Sequence, residues 1–547
     1  MRKYGRTLVY SRIQKLLTPE RRNVLDLVNH GLAMIDDVID SHAEPLKYLE
    51  HIQKIFQRSY SGENVQIANP EEKSVVDLGY VLNKLTFAKF PHFTNRVIGK
   101  HTYAKILAYW RVEEKNFQRR GNVLSKNTLD EITFGIGSLV GEQFLSILDP
   151  SRNPQGDILL AKAYGFAVKL ADNLCDFRED IKKGFVNIPL EEIHHIRGVN
   201  IQNAKIAQIH LDKLSLSTEY IEKEYKRVKK VFDSADNLLL LIKKRRPIWR
   251  RKLQERLSLF GQFCHTWFNQ AKEFAIIETL RNYDISLSSK INFLSFDGLR
   301  EIEKKYEMEI GDVLLNSYEQ EARNTRLVND CDPNYSPYAH EKTSEANRII
   351  RSLIQYRSEI KEVLDLGCDN GERTVELFEG KDLYGIESVG ITLNEARKRK
   401  IEVYQGSMIQ ENYQDKANPC GRKFGLVSLV GEMINFVGLD VEDLLKRSVE
   451  QVKDKGYFLI TSMHPKSDEY PEGKFVIWSH TKSTQGKWLL DEKKIPRTFL
   501  ILSERELQQR LNKVVQKTGY NLVLQEKKIV NNYYEDIALG IYLLQKQ

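Results

Sequence analysis

Two stretches in the N-terminal part of the sequence carry carboxylates at helical spacing. Each follows an apolar run, and together they contain six aspartates: Asp36, Asp37, Asp40, Asp172, Asp176 and Asp180. Carboxylates one helical turn apart repel each other, and their burial without partners is costly, so the spacing favours a compensating cation. Oxygen ligands without imidazole or thiolate suit Mg²⁺, which commonly bridges carboxylates and substrate phosphates. We therefore expect Mg²⁺ and a phosphorylated substrate, although a single acidic row is more often a solvated helix face.

A glycine turn in the C-terminal part is the second candidate site. The segment EVLDLGCDNG (362–371) predicts a buried strand that runs through Asp365 into a turn with Gly367 and Gly371. The next predicted strand ends in Glu387, 22 residues after Asp365, where an acid can accept both hydroxyls of a ribose. The dinucleotide fingerprint G-x-G-x-x-G is absent. The pattern favours a nucleoside-containing cofactor over a dinucleotide.

Two more polar residues follow C-terminal strands and could face a substrate. Glu432 comes after the run FGLVSLV, and His464 comes after GYFLITS. Either side chain could act as a general base if it lay within hydrogen-bond reach of the substrate. A structural role explains each of them equally well.

These candidates belong to two halves of different character. From the N-terminus to about residue 275 the sequence predicts long amphipathic helices, with few glycines or prolines. From about residue 361, short aliphatic runs alternate with helical stretches, as in a largely parallel sheet. We therefore predict an all-α domain at 1–275, a partly helical connector at 276–339, and an α/β Rossmann-like domain at 340–547.

Composition excludes several classes of protein. The 547 residues are 41% hydrophobic and 29% charged, which argues against wholesale disorder. The five cysteines form no CxxC pair, so neither a disulfide framework nor a structural zinc site is indicated. No apolar run is long enough to span a bilayer and the N-terminus lacks a signal-peptide core, so we expect a cytoplasmic protein.

A basic stretch with a tryptophan lies at residues 243–252, after four leucines. Such a stretch could rest on anionic lipid and make the protein peripheral to a membrane. A solvated helix start is the commoner explanation, and a nucleic-acid patch is a third. The net charge of +8 is modest for this length and selects no partner, and we expect no nucleic acid.

Three segments of the N-terminal half match a known pattern: LTPERRNVLDLVNHGLAMIDDVID (17–40), Gly137 to Gly141, and AYGFAVKLADNLCDFREDIKKGFVNIP (163–189). On these segments, residues 7–275 resemble the squalene/phytoene synthases among the class I trans-isoprenyl diphosphate enzymes. The resemblance implies an α-helical isoprenoid synthase bundle whose six aspartates hold Mg²⁺ on a prenyl diphosphate. Ionisation would give an allylic carbocation, and Arg21 or Arg22 would contact the diphosphate.

The same resemblance has departures that bear on the product. The family usually has Gln, Asn, Arg, Arg and Tyr where this sequence has Lys169, Asp172, Cys175, Phe185 and Asn187. Metal and diphosphate chemistry tolerates these changes better than head-to-head coupling does. Prenyl diphosphate chemistry is therefore expected, with squalene or phytoene synthesis as its nearest known example.

Residues beside the acidic runs could form a binding site for a prenyl chain. The small residues Gly137, Ser138 and Gly141 would leave space for it. Aromatic side chains could line that space with π faces that tolerate cationic carbon: Phe134, Phe144, Tyr164 and Phe166. Close helix packing and an ordinary apolar core are the competing explanations.

The form Asp-x-Gly-x-x-x-Gly with a later Glu, followed by a terminal strand ending in DIALGIYLLQKQ (536–547), gives a second resemblance. Residues 340–547 are similar to class I methyltransferases that bind S-adenosylmethionine. The resemblance implies cofactor contacts to methionine and ribose from Asp365, Gly367, Gly371 and Glu387, and contacts near adenine from Ser407 and Met408.

The two resemblances together predict a bifunctional isoprenoid enzyme. Mg²⁺-dependent ionisation and condensation of a prenyl diphosphate would be joined to methyl transfer from S-adenosylmethionine, with the isoprenoid as a candidate acceptor. One alternative is a helical bundle without catalysis that binds a prenyl lipid beside an active methyltransferase. A nucleic-acid methyltransferase is the other.

Overall fold

The structure is a computed structural model whose described residues form two compact units. Described are residues 8–29, 42, 44–87, 93–148, 154–197, 215–245, 251–283, 294, 296–310, 313, 340–368, 370–387, 390–406, 422–430, 441–465, 475–478, 480–482, 488–490, 497–500, 502–534 and 537–547. The helical unit spans Met1–Ala275, and the sheet unit spans Ile276–Gln547. An all-α part therefore precedes an α/β part, which confirms the predicted fold class.

Long helices make up most of the helical unit. They are α1 Leu8–Lys15, α2 19–29, α3 Pro45–Ser61, α4 Pro70–Phe87, α5 Phe93–Gln118, α6 Lys126–Leu148, α7 Pro154–Cys175, α8 Phe177–Lys182, α9 Thr218–Arg245 and α10 Arg251–Arg281. Local signals set several boundaries. Proline is the first residue of three of the helices, where its missing N–H costs nothing, and Gly62 ends α3 with φ +86°. Between α8 and α9 lie a 3₁₀ turn, Leu190–His195, and two short paired strands, β1 Ile196–Arg197 and β2 Ser215–Leu216.

Three glycines bring helices α6 and α7 into unusually close contact. A Cβ atom on Gly137 would lie 2.4 Å from the Gly165 carbonyl oxygen, and one on Gly165 would lie 2.0 Å from that of Gly137. A Cβ on Gly141 would lie 2.1 Å from the Ala161 oxygen. Real atoms do not approach this closely, so any larger residue would force the helix backbones apart. Close packing thus accounts for the small residues in this stretch of sequence.

Replacing Gly165 with alanine is expected to destabilise the helical unit by about 1–3 kcal/mol, because the added methyl overpacks a backbone contact. Thermal and urea unfolding would measure the loss. Gly135→Ala is the matched control on α6, since its Cβ would meet only the Val112 side chain, at 3.1 Å. Equal losses in the two variants would contradict the explanation by backbone contact.

The sheet unit contains the remaining elements. Its helices are α11 Phe296–Tyr306, α12 His340–Gln355, α13 Glu372–Leu377, α14 Gly390–Lys398, α15 Val441–Glu450 and α16 Glu504–Thr518. Its strands are β3 Glu362–Leu366, β4 Asp382–Glu387, β5 Glu402–Gln405, β6 Phe424–Leu429, β7 Val452–Pro465, β8 Phe475–Trp478, β9 His480–Lys482, β10 Trp488–Leu490, β11 Arg497–Leu500, β12 Leu522–Tyr534 and β13 Ile537–Lys546. The predicted connector 276–339 falls within this unit.

Seven of the strands form one mixed sheet in the order β12-β13-β7-β6-β3-β4-β5. Five neighbouring strands, from β7 to β5, are parallel, while β13 is antiparallel to both β7 and β12. The central strands are apolar on both faces, and Leu364, Leu426 and Leu459 are fully buried. The carboxyl ends of β3 to β7 therefore meet at one edge, where α/β sheets commonly bind ligands.

Four short strands follow β7 before α16 begins. Strand β8 pairs antiparallel with β11, and β9 pairs antiparallel with β10, so the segment folds back on itself as a nested hairpin. It starts from the carboxyl end of β7, and it therefore leaves the sheet at the edge where the other parallel strands end.

None of the described helices is long and apolar enough to cross a membrane. At the C-terminal end of α9, Leu240 is 52% exposed and Leu241 is 51% exposed. They precede the basic stretch 243–252, of which residues 246–250 lie outside the described part. Within the stretch, the Lys243 ammonium donates to Ser258 Oγ at 2.9 Å.

Candidate functional sites

The helical unit encloses a cavity of about 490 Å³. Its lining residues on α7 change from Gly165 and Val168 to Lys169 and Asp172 toward the end of the helix, and Asp176 follows directly after it. Charged groups are therefore concentrated at one end of the cavity. Apolar side chains from α6 and α10 line other parts of it: Ile136, Val140, Phe144, Phe260, Phe263 and Trp267. A polar end and an apolar body suit an amphiphilic ligand.

The second acidic run lies at the polar end of this cavity. All three of its aspartates line the wall. Helix α7 ends at Cys175, and α8 begins at Phe177. Two hydrogen bonds nevertheless keep the helical register across the break, from Asp176 N to Asp172 O at 2.9 Å and from Asp180 N to Asp176 O at 2.8 Å. The predicted row of carboxylates thus remains aligned although it spans two helices.

Burial and mutual repulsion make two of these carboxylates hard to ionise. Burial in the concave wall, with the charges of Asp172 and Asp180, raises the pKa of Asp176 to about 7. Burial also raises the pKa of Asp180 to about 6, with Lys169 opposing the shift and Asp172 adding to it. A bound cation would relieve both effects, so the pair fits the chemistry of a divalent-ion site.

A network from three segments holds Asp180 in place. Asn187 donates from its amide to the Asp180 carboxylate, and Arg119 Nη2 donates to Asn187 Oδ1 at 2.6 Å. Arg119 also donates to the Val186 carbonyl at 2.9 Å and to Asn116 Oδ1 at 2.6 Å. Sequence reasoning missed Arg119, because it lies 61 residues before Asp180 and belongs to no acidic motif.

The described residues do not by themselves complete a metal centre. No group of three or more Asp, Glu, His or Cys side chains within them could hold a metal ion. The first predicted run, with Asp36, Asp37 and Asp40, lies outside the described residues, although Asn29, shortly before it, lines the cavity. A Mg²⁺ site would therefore need ligands from that run or from the substrate.

Of the other residues predicted for this site, only some belong to the described cavity lining. The described lining does not include Arg21 or Arg22, and Arg22 is exposed and donates from Nε to the Gln14 carbonyl at 3.1 Å. Among the predicted aromatic residues, Phe144 lines the cavity, whereas Phe134 is 45% exposed. Tyr164 is buried and donates to Asp236 Oδ1 at 2.5 Å, which makes it part of the core.

At the carboxyl edge of the sheet, the glycine turn after β3 is held against the end of β4. The N–H groups of Gly367 and Cys368 both donate to the Ile386 carbonyl, at 2.9 and 3.3 Å. Gly371 has φ +81°, and a Cβ there would lie 2.4 Å from Ile401 Cδ1. Both the conformation and the contact require glycine at this position. The turn is thereby fixed next to Glu387, the residue after Ile386.

Asp365 stabilises the glycine turn through a hydrogen bond to the helix that follows it. It is buried, and its Oδ2 accepts a hydrogen bond of 2.5 Å from Thr374 Oγ1 in α13. Burial raises the pKa of Asp365, and hydrogen bonds from Thr374 and Ser428 oppose the rise. The carboxylate thus ties strand β3 to the helix that follows the turn.

Glu387 is the last residue of β4 and is 8% exposed. Its carbonyl accepts a hydrogen bond of 3.1 Å from Gly406, which follows β5. The predicted adenine contacts Ser407 and Met408, and the predicted base Glu432, lie outside the described residues. The described part of this site is therefore the floor made by the turn and Glu387.

His464 is near the end of β7, but its ring is packed inside the protein. Nδ1 lies 2.5 Å from the Leu502 carbonyl and Nε2 lies 2.6 Å from Tyr542 Oη. A neutral ring fits both contacts, with Nδ1 donating and Nε2 accepting from the tyrosine. Gly540 leaves room for the ring, since a Cβ there would lie 2.4 Å from Nε2. With both nitrogens engaged, His464 has a structural role, and the prediction of a substrate-facing base finds no support.

We expect His464→Gln to destabilise the sheet unit by about 1–3 kcal/mol, because buried partners lose their hydrogen bonds. Burial lowers the pKa of His464, so below about pH 6.5 the unfolded chain binds a proton that the folded chain rejects. This contribution lowers stability as pH falls. Urea unfolding at pH 5.5 and 8 should show a smaller pH effect in the variant, and Tyr542→Phe should reproduce part of the loss. Normal stability with lost methyl transfer would instead identify a base.

Comparisons with known proteins relate the chain to solved structures only. No protein-family model matches it, and no curated protein matches it. The CcbJ methyltransferase from Streptomyces caelestis is 13% identical in sequence to this chain. The alignment covers 36% of this chain and 88% of CcbJ, with a TM-score of 0.27. The N-methyltransferase NodS from Bradyrhizobium japonicum is 11% identical in sequence to this chain. The alignment covers 38% of this chain and 97% of NodS, with a TM-score of 0.27.

A third structure is the 1,6-didemethyltoxoflavin-N1-methyltransferase of Burkholderia thailandensis. Its sequence is 13% identical to this chain. The alignment covers 42% of this chain and 90% of that enzyme, with a TM-score of 0.29. With TM-scores below 0.5, these likenesses establish neither the fold nor the function of this chain. The sheet unit itself has a Rossmann-like α/β arrangement, with a mixed seven-stranded sheet whose five neighbouring strands from β7 to β5 are parallel.

Proposed function

We propose that the sheet unit is an S-adenosylmethionine-dependent methyltransferase. The observation that carries the proposal is the glycine turn of β3 bonded to the end of β4 beside Glu387. In an open α/β sheet, a ligand binds outside the carboxyl ends of the strands, and an acid at the end of the second strand can accept ribose hydroxyls. Glu387 would therefore hold the ribose while the turn lets the cofactor approach the backbone.

The start of helix α13 favours this cofactor over a dinucleotide. A pyrophosphate needs free N–H groups at a helix N-terminus. Here the Glu372 N–H already donates to Asn370 Oδ1 at 3.0 Å, and Glu372 adds a negative charge to the first turn. A cationic sulfonium next to acids is better matched to this environment than a phosphate. When bound, S-adenosylmethionine would supply an electrophilic methyl group.

Calorimetric titration tests the cofactor assignment. S-adenosylhomocysteine should bind at one site, and NADH should not bind measurably. The product-like ligand avoids any need to know the methyl acceptor. Binding of NADH without binding of S-adenosylhomocysteine would reverse the assignment.

We propose further that the helical unit acts on a prenyl diphosphate. The specific support is the cavity, whose apolar body suits a prenyl chain and whose acidic end suits Mg²⁺ on a diphosphate. Departure of the diphosphate develops negative charge that metal ions and cationic side chains can stabilise without a protein nucleophile. The chain's own contribution would be to hold the acids, through the network of Arg119 and Asn187, and to exclude water with apolar walls.

Product analysis tests whether the two activities serve one pathway. The protein would be incubated with Mg²⁺ and C10 to C20 prenyl diphosphates, with and without S-adenosylmethionine, and extracts analysed by mass spectrometry. A product that gains one methylene mass with the methyl donor would establish coupling. An unmethylated product would keep the first activity and separate the methyl acceptor from it, and absence of turnover would favour a lipid-binding bundle.

A further inference from the structure

Lys169 is a cationic residue at the acidic end of the cavity. The described lining carries five acids, Glu113, Asp172, Asp176, Glu179 and Asp180, against three bases, Arg119, Lys169 and Lys183. Helix α7 presents Lys169 to the cavity one turn before the acidic row begins. A Cβ on Gly137 would lie 3.0 Å from Lys169 Cβ, so the base of the lysine side chain is held against α6. The base of the Lys169 side chain is thus held by the close packing of two helices.

The ammonium of Lys169 keeps donors available for a ligand. An ammonium group has three N–H donors, and Nζ lies 2.7 Å from Asp172 Oδ2. Within the described part of the chain, this is the acceptor that Lys169 contacts. The carboxylate of Asp172 beside it stabilises the charged form of the lysine side chain.

The other two bases are less suited to meet a ligand. The guanidinium of Arg119 donates to Asn116, Val186 and Asn187, which leaves it little freedom to turn. Lys183 lies 3.4 Å from Glu179. Lys169 is therefore a base that combines a place in the cavity wall, next to the acidic row, with a single acceptor contact among the described residues.

Pairing with Lys169 also changes what Asp172 can do. Its charge is already compensated by a cation at 2.7 Å, whereas the Asp180 carboxylate accepts a hydrogen bond from the neutral amide of Asn187. The Lys169 ammonium carries a positive charge, as a metal ion does. Fewer divalent ions are therefore needed to neutralise the acidic end of the cavity. Lysine is a recognised phosphate ligand that acts as a point charge.

We propose that Lys169 is a direct contact for the anionic head group of the ligand and takes the place of one divalent ion. The inference rests on the proposed function of the helical unit. It predicts that a phosphate-type head group binds weakly even without metal, and more tightly when Mg²⁺ neutralises Asp176 and Asp180. Inorganic pyrophosphate is the probe, because it carries the head-group chemistry without the prenyl chain.

Calorimetric titration of pyrophosphate into the full chain, in EDTA and in Mg²⁺, tests the inference. In EDTA the wild type should bind measurably, and Lys169→Gln should bind at least about tenfold more weakly through loss of a charge-assisted contact. Lys169→Arg should retain most of the affinity. Lys162→Gln is the matched control on α7, because Lys162 pairs with Glu142 and lies outside the described cavity lining. Thermal unfolding would establish that each variant is folded.

Three results would overturn the inference. Equal pyrophosphate affinity in the wild type and Lys169→Gln would remove Lys169 from the site, and binding by the wild type only in Mg²⁺ would show that the lysine replaces no ion. In both cases, Mg²⁺-dependent binding of a C15 prenyl diphosphate would leave the proposed function standing. Absence of both pyrophosphate and prenyl diphosphate binding under all conditions would overturn the proposed function as well.

Discussion

Glu387→Gln is expected to weaken binding of S-adenosylhomocysteine by about 10- to 100-fold. A carboxylate can accept both ribose hydroxyls, whereas the amide offers one acceptor, and a hydrogen bond to a charged group contributes about 1.5–3 kcal/mol. The side chain is buried at the end of β4, so water compensates poorly for the loss. Isothermal titration calorimetry of the two proteins measures the ratio directly.

Asp382→Asn is the matched control for this experiment. It makes the same chemical change at the opposite end of the same strand, where the side chain is exposed. Its affinity for S-adenosylhomocysteine should equal that of the wild type. Similar affinities in all three proteins would show that Glu387 does not hold the ribose, and would remove the main support for this cofactor.

Asp176→Asn is expected to reduce Mg²⁺-dependent release of pyrophosphate from a prenyl diphosphate by at least about 100-fold. The amide keeps the shape of the side chain but loses the charge that a divalent ion requires, and such transition-state contacts commonly contribute this much. A coupled phosphate assay measures the rate. Asp233→Asn, an exposed aspartate on α9 of the same unit, should retain the wild-type rate. Unchanged release in Asp176→Asn would refute the metal assignment.

The Asp176→Asn variant is expected to be more stable than the wild type at neutral pH. Unfolding would therefore not explain its loss of pyrophosphate release. The folded chain raises the pKa of Asp176 to about 7, so it holds a proton that the unfolded chain has released above about pH 4. Stability contributed by this group therefore falls as pH rises from about 4 to 7. Without metal, Asp176→Asn should melt at a higher temperature than the wild type at pH 8, and the difference should vanish near pH 4.

Local patterns predicted much of this architecture. Helical periodicity and short aliphatic runs separated the two halves, because both signals arise from neighbours within one element. Gly371 was identifiable because a strand-turn-helix needs a residue that tolerates φ +81°. The acidic row was identifiable because residues four apart share a helix face, and the hydrogen bonds from Asp176 and Asp180 preserve that face across the break after Cys175.

Contacts between distant segments could not be predicted in this way. Asn187 and Arg119 meet across 68 positions of sequence, and no local pattern pairs an asparagine in a loop with an arginine after a distant helix. His464 resembled a catalytic residue because it follows a strand, but its ring is engaged by Tyr542, 78 positions later. For Gly137 and Gly141 the sequence left open whether they make room for a ligand or allow close helix packing, and the structure shows them both lining the cavity and letting α6 and α7 approach each other.

Strand β13 lies between β7 and β12, although it follows both in sequence. Until it is inserted, β7 and β12 each expose an unpaired edge that can recruit strands from other molecules. During synthesis, the helical unit can complete its own contacts early, while the sheet unit waits for residues 537–546. We therefore expect nascent chains stalled before β13 to need chaperones. We also expect substitutions in this strand to lower the yield of soluble protein more strongly than they raise the rate of unfolding.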